Sequence, residues 1–219
     1  MQLQIPKLHY VSQGKTPEEH LKNIQSACSY GAELVQLRLK GYSDKTILAT
    51  AQKAREITNH FQTRLIINDY YKVAKQVNAD GVHLGKGDTA IKVARKFLGP
   101  YFIIGGSANT LQDCEDLLKK EIDYIGLGPF KFTNTKKVLS PVLGKDGYVA
   151  IIDVLQTNTP IIAIGGITLD NISEILETGI NGIAVAGEIT NDFNNIKKFN
   201  EILKGSSTEE QVWKPNQKK

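Results

Sequence analysis

Polar residues follow the ends of several short apolar segments, where they could bind a phosphorylated ligand together with a metal ion. One segment runs into Gln36, Arg38 and Lys40, which alternate, and the next two are followed by Asp69 and Asp88. Two carboxylates close together repel each other unless a cation lies between them, and Mg2+ is bound by one or two carboxylates plus phosphate oxygens and water. Arginine offers a forked contact to an anion and lysine a point charge. These residues predict a site for Mg2+ and a diphosphate.

A second anion site is indicated by glycines that follow two later apolar segments. These segments end in Gly165-Gly166-Ile167 and in Ala186-Gly187. Glycine lets backbone N–H groups approach an anion closely, and such turns bind phosphate in many barrels. The sequence FKFTNTKK at 130–137 adds hydroxyls and lysines, and it is either a solvated loop or part of an anion site. We therefore expect two anion sites.

Each of these residues also has a purely structural explanation. Arg38 and Lys40 could form a salt-bridged rim, and Asp69 and Asp88 could cap helix N-termini. The glycines could serve tight turns. Taken singly, the structural explanation is preferred for Asp88 and for the glycines. It weakens for the set as a whole, because cations, acids and glycines then converge on one rim.

The elements that must position these side chains alternate along the chain. Apolar positions at helical spacing separate short β-rich segments. Helix N-caps are predicted at Thr16, Ser43 and Thr110, and at Thr168 or Asp170. Eight strand–helix units without a break in composition favour a single-domain α/β fold, a (β/α)8 TIM barrel over residues 1–205, rather than an open sheet. The predicted strands are 8–11, 34–39, 64–68, 81–85, 102–106, 124–128, 161–166 and 182–187.

Composition narrows the function classes. The 219 residues are 41% hydrophobic and 23% charged, with a net charge of +4, which is ordinary for a globular protein. No apolar run approaches the roughly 20 residues of a membrane helix, so we expect no membrane partner and a cytoplasmic location. The basic segment 206–219 is predicted to be disordered. Because part of the positive net charge lies in this segment, the rest of the chain is only mildly basic and does not indicate nucleic-acid binding. A homo-oligomer is left open.

The ordered series of these motifs resembles the thiamine phosphate synthase family. The resemblance spans residues 8–190, almost the whole predicted barrel, and its specificity comes from the order and spacing of the pieces. The motifs are Gln36-x-Arg38-x-Lys40, Ile67-Asn68-Asp69, Asp80-Gly81-Val82-His83-Leu84-Gly85 with Asp88, Gly106-Ser107, Gly126-x-Gly128-Pro129, Thr133-x-Thr135-Lys136-Lys137 and Ala163-Ile164-Gly165-Gly166-Ile167.

The resemblance implies a transferase with two small-molecule substrates. Hydroxymethylpyrimidine diphosphate and methylthiazole ethyl phosphate, or the carboxylate of the latter, would give thiamine phosphate and diphosphate by Mg2+-assisted dissociative substitution. By motif position, Asp69 and Asp88 would bind Mg2+, and Ser107 would contact the pyrimidine and the leaving-group region. The diphosphate and pyrimidine would be held by Gln36, Arg38, Lys40, Asn68 and Lys136, and the thiazole phosphate by Thr133, Thr135, Gly166, Ala186 and Gly187. Arg38, Lys40, Ser107 and Lys136 would be the catalytic residues.

Three alternatives and two departures from the family pattern accompany this interpretation. A lyase or isomerase of sugar or indole phosphates would need a catalytic lysine or glutamate deep on a strand, and the candidates are poor. A paralogue that aromatises the thiazole phosphate without coupling it, or a non-catalytic sensor, would share the pocket, but the paralogue tends to lack part of the diphosphate and metal set. Gly187 stands where serine is frequent, and Leu39 stands where an acid is frequent. His83 is interpreted as a structural residue of the barrel, because the implied chemistry needs no base.

Overall fold

Eight parallel strands close into a barrel in the computed structural model, which describes residues 4–132 and 141–205. Each strand pairs with its neighbours in chain order, and β1 pairs with β8, so the predicted (β/α)8 barrel is confirmed. Thr133, Thr135, Lys136 and the predicted tail 206–219 lie outside the described residues. The strands are β1 Leu8–Val11, β2 Leu34–Leu37, β3 Arg64–Asn68, β4 Gly81–Leu84, β5 Ile103–Ala108, β6 Tyr124–Leu127, β7 Ile161–Ile164 and β8 Gly182–Val185.

Helices follow the strands and cover the outside of the barrel. The short helix α8 was not predicted, and no helix in the described part of the chain is long and apolar enough to cross a membrane. The helices are α1 Pro17–Ser29, α2 Asp44–His60, α3 Tyr71–Gln76, α4 Ile91–Leu98, α5 Leu111–Leu118, α6 Gly144–Leu155, α7 Ile172–Leu176, α8 Gly187–Asn191 and α9 Asn195–Gly205.

Side-chain caps fix the start of three helices as predicted. The hydroxyls of Thr16, Ser43 and Thr110 each accept a hydrogen bond from a backbone N–H in the first turn of α1, α2 and α5. The cap predicted at Thr168 or Asp170 is wrong. Helix α7 begins after Asn171, whose side chain turns back to accept from the Thr168 amide at 3.0 Å and so shapes the loop before the helix.

Strand β2 ends two residues earlier than predicted. Its last residue is Leu37, so Arg38 and Lys40 lie in the following loop. The alternation nevertheless continues, since Leu39 is buried, Arg38 is half-buried and Lys40 is exposed. The two cations therefore extend beyond the barrel mouth, while Gln36 stays buried within it.

Two arginines tie helices to the amino-terminal ends of the strands. Arg55 of α2 contacts Asp80 at 2.6 Å, and the same Asp80 oxygen accepts from the Leu65 amide of β3 at 2.7 Å. Arg95 of α4 repeats the arrangement, with its guanidinium 2.6 Å from Asp123, which bonds an amide of β5. Each carboxylate therefore joins a helix to two adjacent strands, at the end of the barrel opposite the mouth.

Replacing Arg95 should destabilise the barrel. Its side chain is only 10% exposed and that of Asp123 only 24%, so Arg95→Ala leaves a carboxylate without its cation in a poorly solvated place. We expect the free energy of unfolding to fall by about 3 kcal/mol, measured by urea denaturation followed by circular dichroism. Lys119→Ala is the control, because its partner Asp116 is exposed. An equal effect of both variants would contradict the role given to Arg95.

Candidate active site at the barrel mouth

Two buried amides form the floor of the mouth between β2 and β3. The Gln36 Nε2 donates to Asn68 Oδ1 at 2.7 Å, and both residues are buried. The Asn68 Nδ2 is also buried and has no hydrogen-bond partner among the described residues. An unpaired buried donor costs about 1–3 kcal/mol, and such a group at the carboxyl end of a barrel strand is a natural contact for a ligand acceptor. The family resemblance assigns Asn68 to the binding of the pyrimidine diphosphate.

The two acids of the mouth do not cap helices. Asp69 follows β3 with a φ of 67°, a left-handed conformation in which aspartate is enriched, and α3 has no side-chain cap. Asp88 accepts a hydrogen bond from the Gly85 amide at 2.6 Å, which folds the loop after β4 rather than starting α4. The capping explanation is therefore wrong for both residues. Both also line a surface groove of about 810 Å3, which solvent can enter.

The acids lie close enough to interact strongly. Burial, and after it the neighbouring Asp88, raise the pKa of Asp69 to about 6 against the opposing effect of Lys40. Lys40 Nζ lies 3.2 Å from Asp69 Oδ2 although the lysine side chain is 55% exposed. Lys40 therefore forms a salt bridge at the rim, as the structural explanation of the sequence allowed. The local charge favours an added cation beside the two carboxylates.

Arg38 is held through its backbone rather than through its guanidinium. Its N–H donates to Ser12 Oγ at 3.1 Å, one residue beyond the end of β2. Burial lowers the pKa of its side chain, and the charge of Asp69 opposes that change. An arginine remains charged under such a shift, so the loop presents a half-buried cation beside the acids. The predicted group of Gln36, Arg38, Lys40, Asn68, Asp69 and Asp88 is therefore assembled on the ends of β2 to β4.

Ser107 is positioned by a residue that the sequence interpretation treated as structural only. His83 Nε2 lies 2.9 Å from Ser107 Oγ, and His83 Nδ1 lies 3.0 Å from the Tyr124 hydroxyl. The imidazole also stacks on the Tyr124 ring, with centroids 5.5 Å apart. His83 therefore packs in the barrel interior and also positions Ser107, a predicted site residue. The signal was available in the sequence, because His83 alternates with Gly81 and so shares the inward face of β4.

Across the mouth, the turn after β7 receives the beginning of the loop at 130–137. Gly166 has a φ of 70°, and a Cβ there would lie 2.7 Å from Lys131 Cβ. The Gly165 carbonyl accepts from the amides of Phe130 and Lys131, at 3.1 and 3.0 Å. Only glycine combines this conformation with this close approach. The predicted glycine turn therefore packs directly against the start of the loop.

The chain is similar to known proteins over most of its length. The model of the thiamine monophosphate synthase family matches residues 8–189. The chain belongs to this family. Thiamine-phosphate synthases of Flavobacterium johnsoniae and Flavobacterium psychrophilum are 45% and 46% identical to it over 203 residues, 90% of this chain and 96% and 98% of theirs. The structure of a thiamine phosphate pyrophosphorylase from Pyrococcus furiosus has a TM-score of 0.77 at 30% identity, covering 91% of this chain and 94% of that one.

One departure from the pattern of the thiamine monophosphate synthase family now has a structural setting. Gly187 begins α8 directly after Ala186, at the end of β8. A Cβ at Gly187 would lie 3.6 Å from Gln13 Oε1, which is an ordinary contact. Packing therefore does not require glycine here, and the missing serine hydroxyl is not explained by crowding.

The bonds of His83 generate a stability prediction. His83→Phe keeps a ring beside Tyr124 but leaves the buried tyrosine hydroxyl without the imidazole nitrogen. We expect the free energy of unfolding to fall by about 1–3 kcal/mol in urea denaturation. The double variant His83→Phe/Tyr124→Phe should recover part of the loss, because it also removes the stranded hydroxyl. A double variant less stable than the sum of both single changes would refute this explanation.

Proposed function

We propose that this member of the thiamine monophosphate synthase family couples hydroxymethylpyrimidine diphosphate with methylthiazole ethyl phosphate, or the carboxylate of the latter, at the mouth of the barrel. The observation that carries the proposal is the charge arrangement on β2 to β4. Lys40 lies 3.2 Å from Asp69, and burial followed by the neighbouring Asp88 raises the pKa of the Asp69 carboxyl. Arg38 adds a half-buried cation beside them. Paired acids with adjacent cations suit a metal diphosphate better than a metal or a phosphate alone.

The residues present fit Mg2+. Asp69 and Asp88 are the protein ligands in this proposal, and the described residues contain no group of three or more metal-binding side chains. Mg2+ commonly takes only one or two carboxylates and completes its shell with phosphate oxygens and water. When bound, it would neutralise charge on the diphosphate and so favour its departure. The Gly85 amide occupies one oxygen of Asp88, and Lys40 shares Asp69, so both acids are held in place.

Arg38 and Lys40 would stabilise the leaving diphosphate, together with Lys136 from the loop at 130–137. The reaction is dissociative in this proposal, so its barrier is the separation of charge as the C–O bond breaks. Fixed cations aimed at that charge are the main source of rate enhancement in such a site. The buried Asn68 amide and Gln36 would contact the pyrimidine diphosphate, and Ser107 would contact the pyrimidine and the leaving-group region.

The second substrate would lie across the mouth. Its phosphate would be bound by Thr133, Thr135, Gly166 and the backbone of Ala186 and Gly187. In an eight-stranded barrel β7 lies opposite β3, so this phosphate would face the diphosphate across the reacting atoms. The thiazole nitrogen attacks as a neutral atom and becomes cationic, so no proton has to be removed. This agrees with a site built for positioning and charge.

The alternative is a paralogue that aromatises the thiazole phosphate without coupling it. Such a protein would need the phosphate site across the mouth but not the diphosphate and metal residues. Arg38, Lys40, Asp69 and Asp88 are all present and assembled here. The relatives named above also carry the name of synthases. Coupling is therefore the function that the site supports best.

The direct test is to incubate the purified protein with both precursors and Mg2+ and to measure thiamine phosphate and diphosphate. We expect both products in equal amounts and none after chelation of the metal. Arg38→Ala should reduce turnover by roughly a hundred- to a thousandfold, because one charged contact to the leaving group is lost. Lys53→Ala, an exposed cation on α2, is the control. Binding of the thiazole phosphate without any coupling would favour the paralogue instead.

A further inference from the structure

A buried polar pair lies behind Arg38 on the first strand and helix. Ser12 follows β1, and His20 lies in the first turns of α1; both side chains are buried. The Ser12 Oγ and His20 Nδ1 are 2.8 Å apart, and the same hydroxyl accepts from the Arg38 amide at 3.1 Å. The sequence interpretation assigned no role to either residue, and the coupling reaction as described above uses neither.

The serine hydroxyl continues the ladder of the barrel where the main chain leaves it. The Ser12 amide donates to the Gln36 carbonyl at 2.9 Å, as in a parallel pair of strands. In a continuing parallel ladder the Arg38 amide would then donate to the Ser12 carbonyl. Here it donates to the Ser12 hydroxyl instead. The chain can therefore turn away from β1 while Arg38 keeps a fixed bond to the barrel.

His20 is placed to hold that hydroxyl. The hydroxyl still has its own proton to donate after accepting from Arg38, and a neutral imidazole offers Nδ1 as the acceptor. Burial lowers the pKa of His20, the Gly14 carbonyl opposes this, and the nearby Arg38 charge lowers it again. The imidazole is therefore held in its neutral form. In the tautomer that carries its proton on Nε2, the Arg38 amide donates to the Ser12 hydroxyl, and that hydroxyl donates to His20 Nδ1.

The loop between β1 and α1 is packed tightly around this pair. A Cβ at Gly14 would lie 2.8 Å from the His20 amide nitrogen and 3.0 Å from its Cδ2. A second bond joins the same loop to the loop after β2, since the Tyr42 hydroxyl donates to the Lys15 carbonyl at 2.9 Å. That outer bond is exposed and does not involve Arg38, whereas the inner bond through Ser12 is half-buried and does.

We propose that Ser12 and His20 are positioning residues that act through Arg38, by fixing the backbone from which its guanidinium reaches the diphosphate. This inference rests on the role of Arg38 in the proposed function. Asp69, whose charge acts on the Arg38 guanidinium, is paired with Lys40 at 3.2 Å. The hydrogen bond that anchors Arg38 is the one from its backbone N–H to Ser12. Loss of the anchor should weaken transition-state stabilisation rather than the binding of the thiazole phosphate.

The test is a double-mutant cycle on turnover. Ser12→Ala and His20→Leu should each lower kcat on the order of fivefold, as expected for one lost hydrogen bond, without changing KM for the thiazole phosphate. His20→Asn should restore activity, because its side-chain oxygen can accept from Ser12. In an Arg38→Ala background, Ser12→Ala should have no further effect. Tyr42→Phe is the matched control, since it removes the other bond between the same loops, and it should leave kcat unchanged.

The outcomes separate this inference from the function on which it rests. If Arg38→Ala itself keeps full activity, the proposed role of Arg38 fails. If Arg38→Ala is impaired while Ser12→Ala is not, or if Ser12→Ala lowers kcat equally in both backgrounds, the positioning role alone is overturned. Circular dichroism and thermal unfolding check that each variant is folded. Should His20→Leu not fold, the cycle with Ser12→Ala decides the matter.

Discussion

The mouth of the barrel depends on a balance of charge between two acids and two cations at the ends of neighbouring strands. Asp69 and Asp88 are close enough that the pKa of Asp69 is raised to about 6, with burial as the larger cause. Lys40 compensates part of that charge at 3.2 Å from Asp69. Such an arrangement is costly for the free protein and favourable once a cation and an anion are added together. In the proposed function, binding of a metal diphosphate is the reason for maintaining this arrangement.

The barrel supplies the rigidity that this balance requires. Parallel pairing brings the carboxyl ends of β2, β3 and β4 together, and the Asp69 amide continues the ladder by donating to the His83 carbonyl at 2.9 Å. Buried and half-buried hydrogen bonds then fix the residues behind the charges. Gln36 holds Asn68, His83 holds Ser107, and Ser12 holds the Arg38 backbone. Asn68, Ser107 and the Arg38 backbone are thus each supported by a neutral partner.

Much of this could be predicted from the sequence because the signals are local. Alternation of apolar segments determined the eight strands, and the strand ends placed Arg38, Lys40, Asp69 and Asp88 on one rim. Hydroxyl caps at Thr16 and Thr110 marked helix starts for the same reason. Each of these residues interacts either with a group a few positions away in the sequence or with residues at the same end of the barrel.

The remaining features arise from contacts distant in sequence. No local pattern indicates that Ser12 meets Arg38, or that Arg95 meets Asp123, since these bonds depend on how loops pack after the barrel closes. The end of β2 at Leu37 depends on the bond between Arg38 and Ser12. The Arg38 amide donates to the Ser12 hydroxyl instead of to the Ser12 carbonyl, so the strand ladder stops there. The cap expected at Thr168 or Asp170 failed because Asn171 bonds the loop rather than the helix.

The most direct measurement of the central claim is calorimetric titration of inorganic diphosphate into the protein with and without Mg2+, repeated with Asp88→Asn. A mouth built around paired acids predicts that Mg2+ strengthens diphosphate binding in the native protein and that Asp88→Asn removes this gain while weak metal-free binding by Arg38 and Lys40 persists. Equal diphosphate affinity with and without Mg2+ in the native protein would contradict the account.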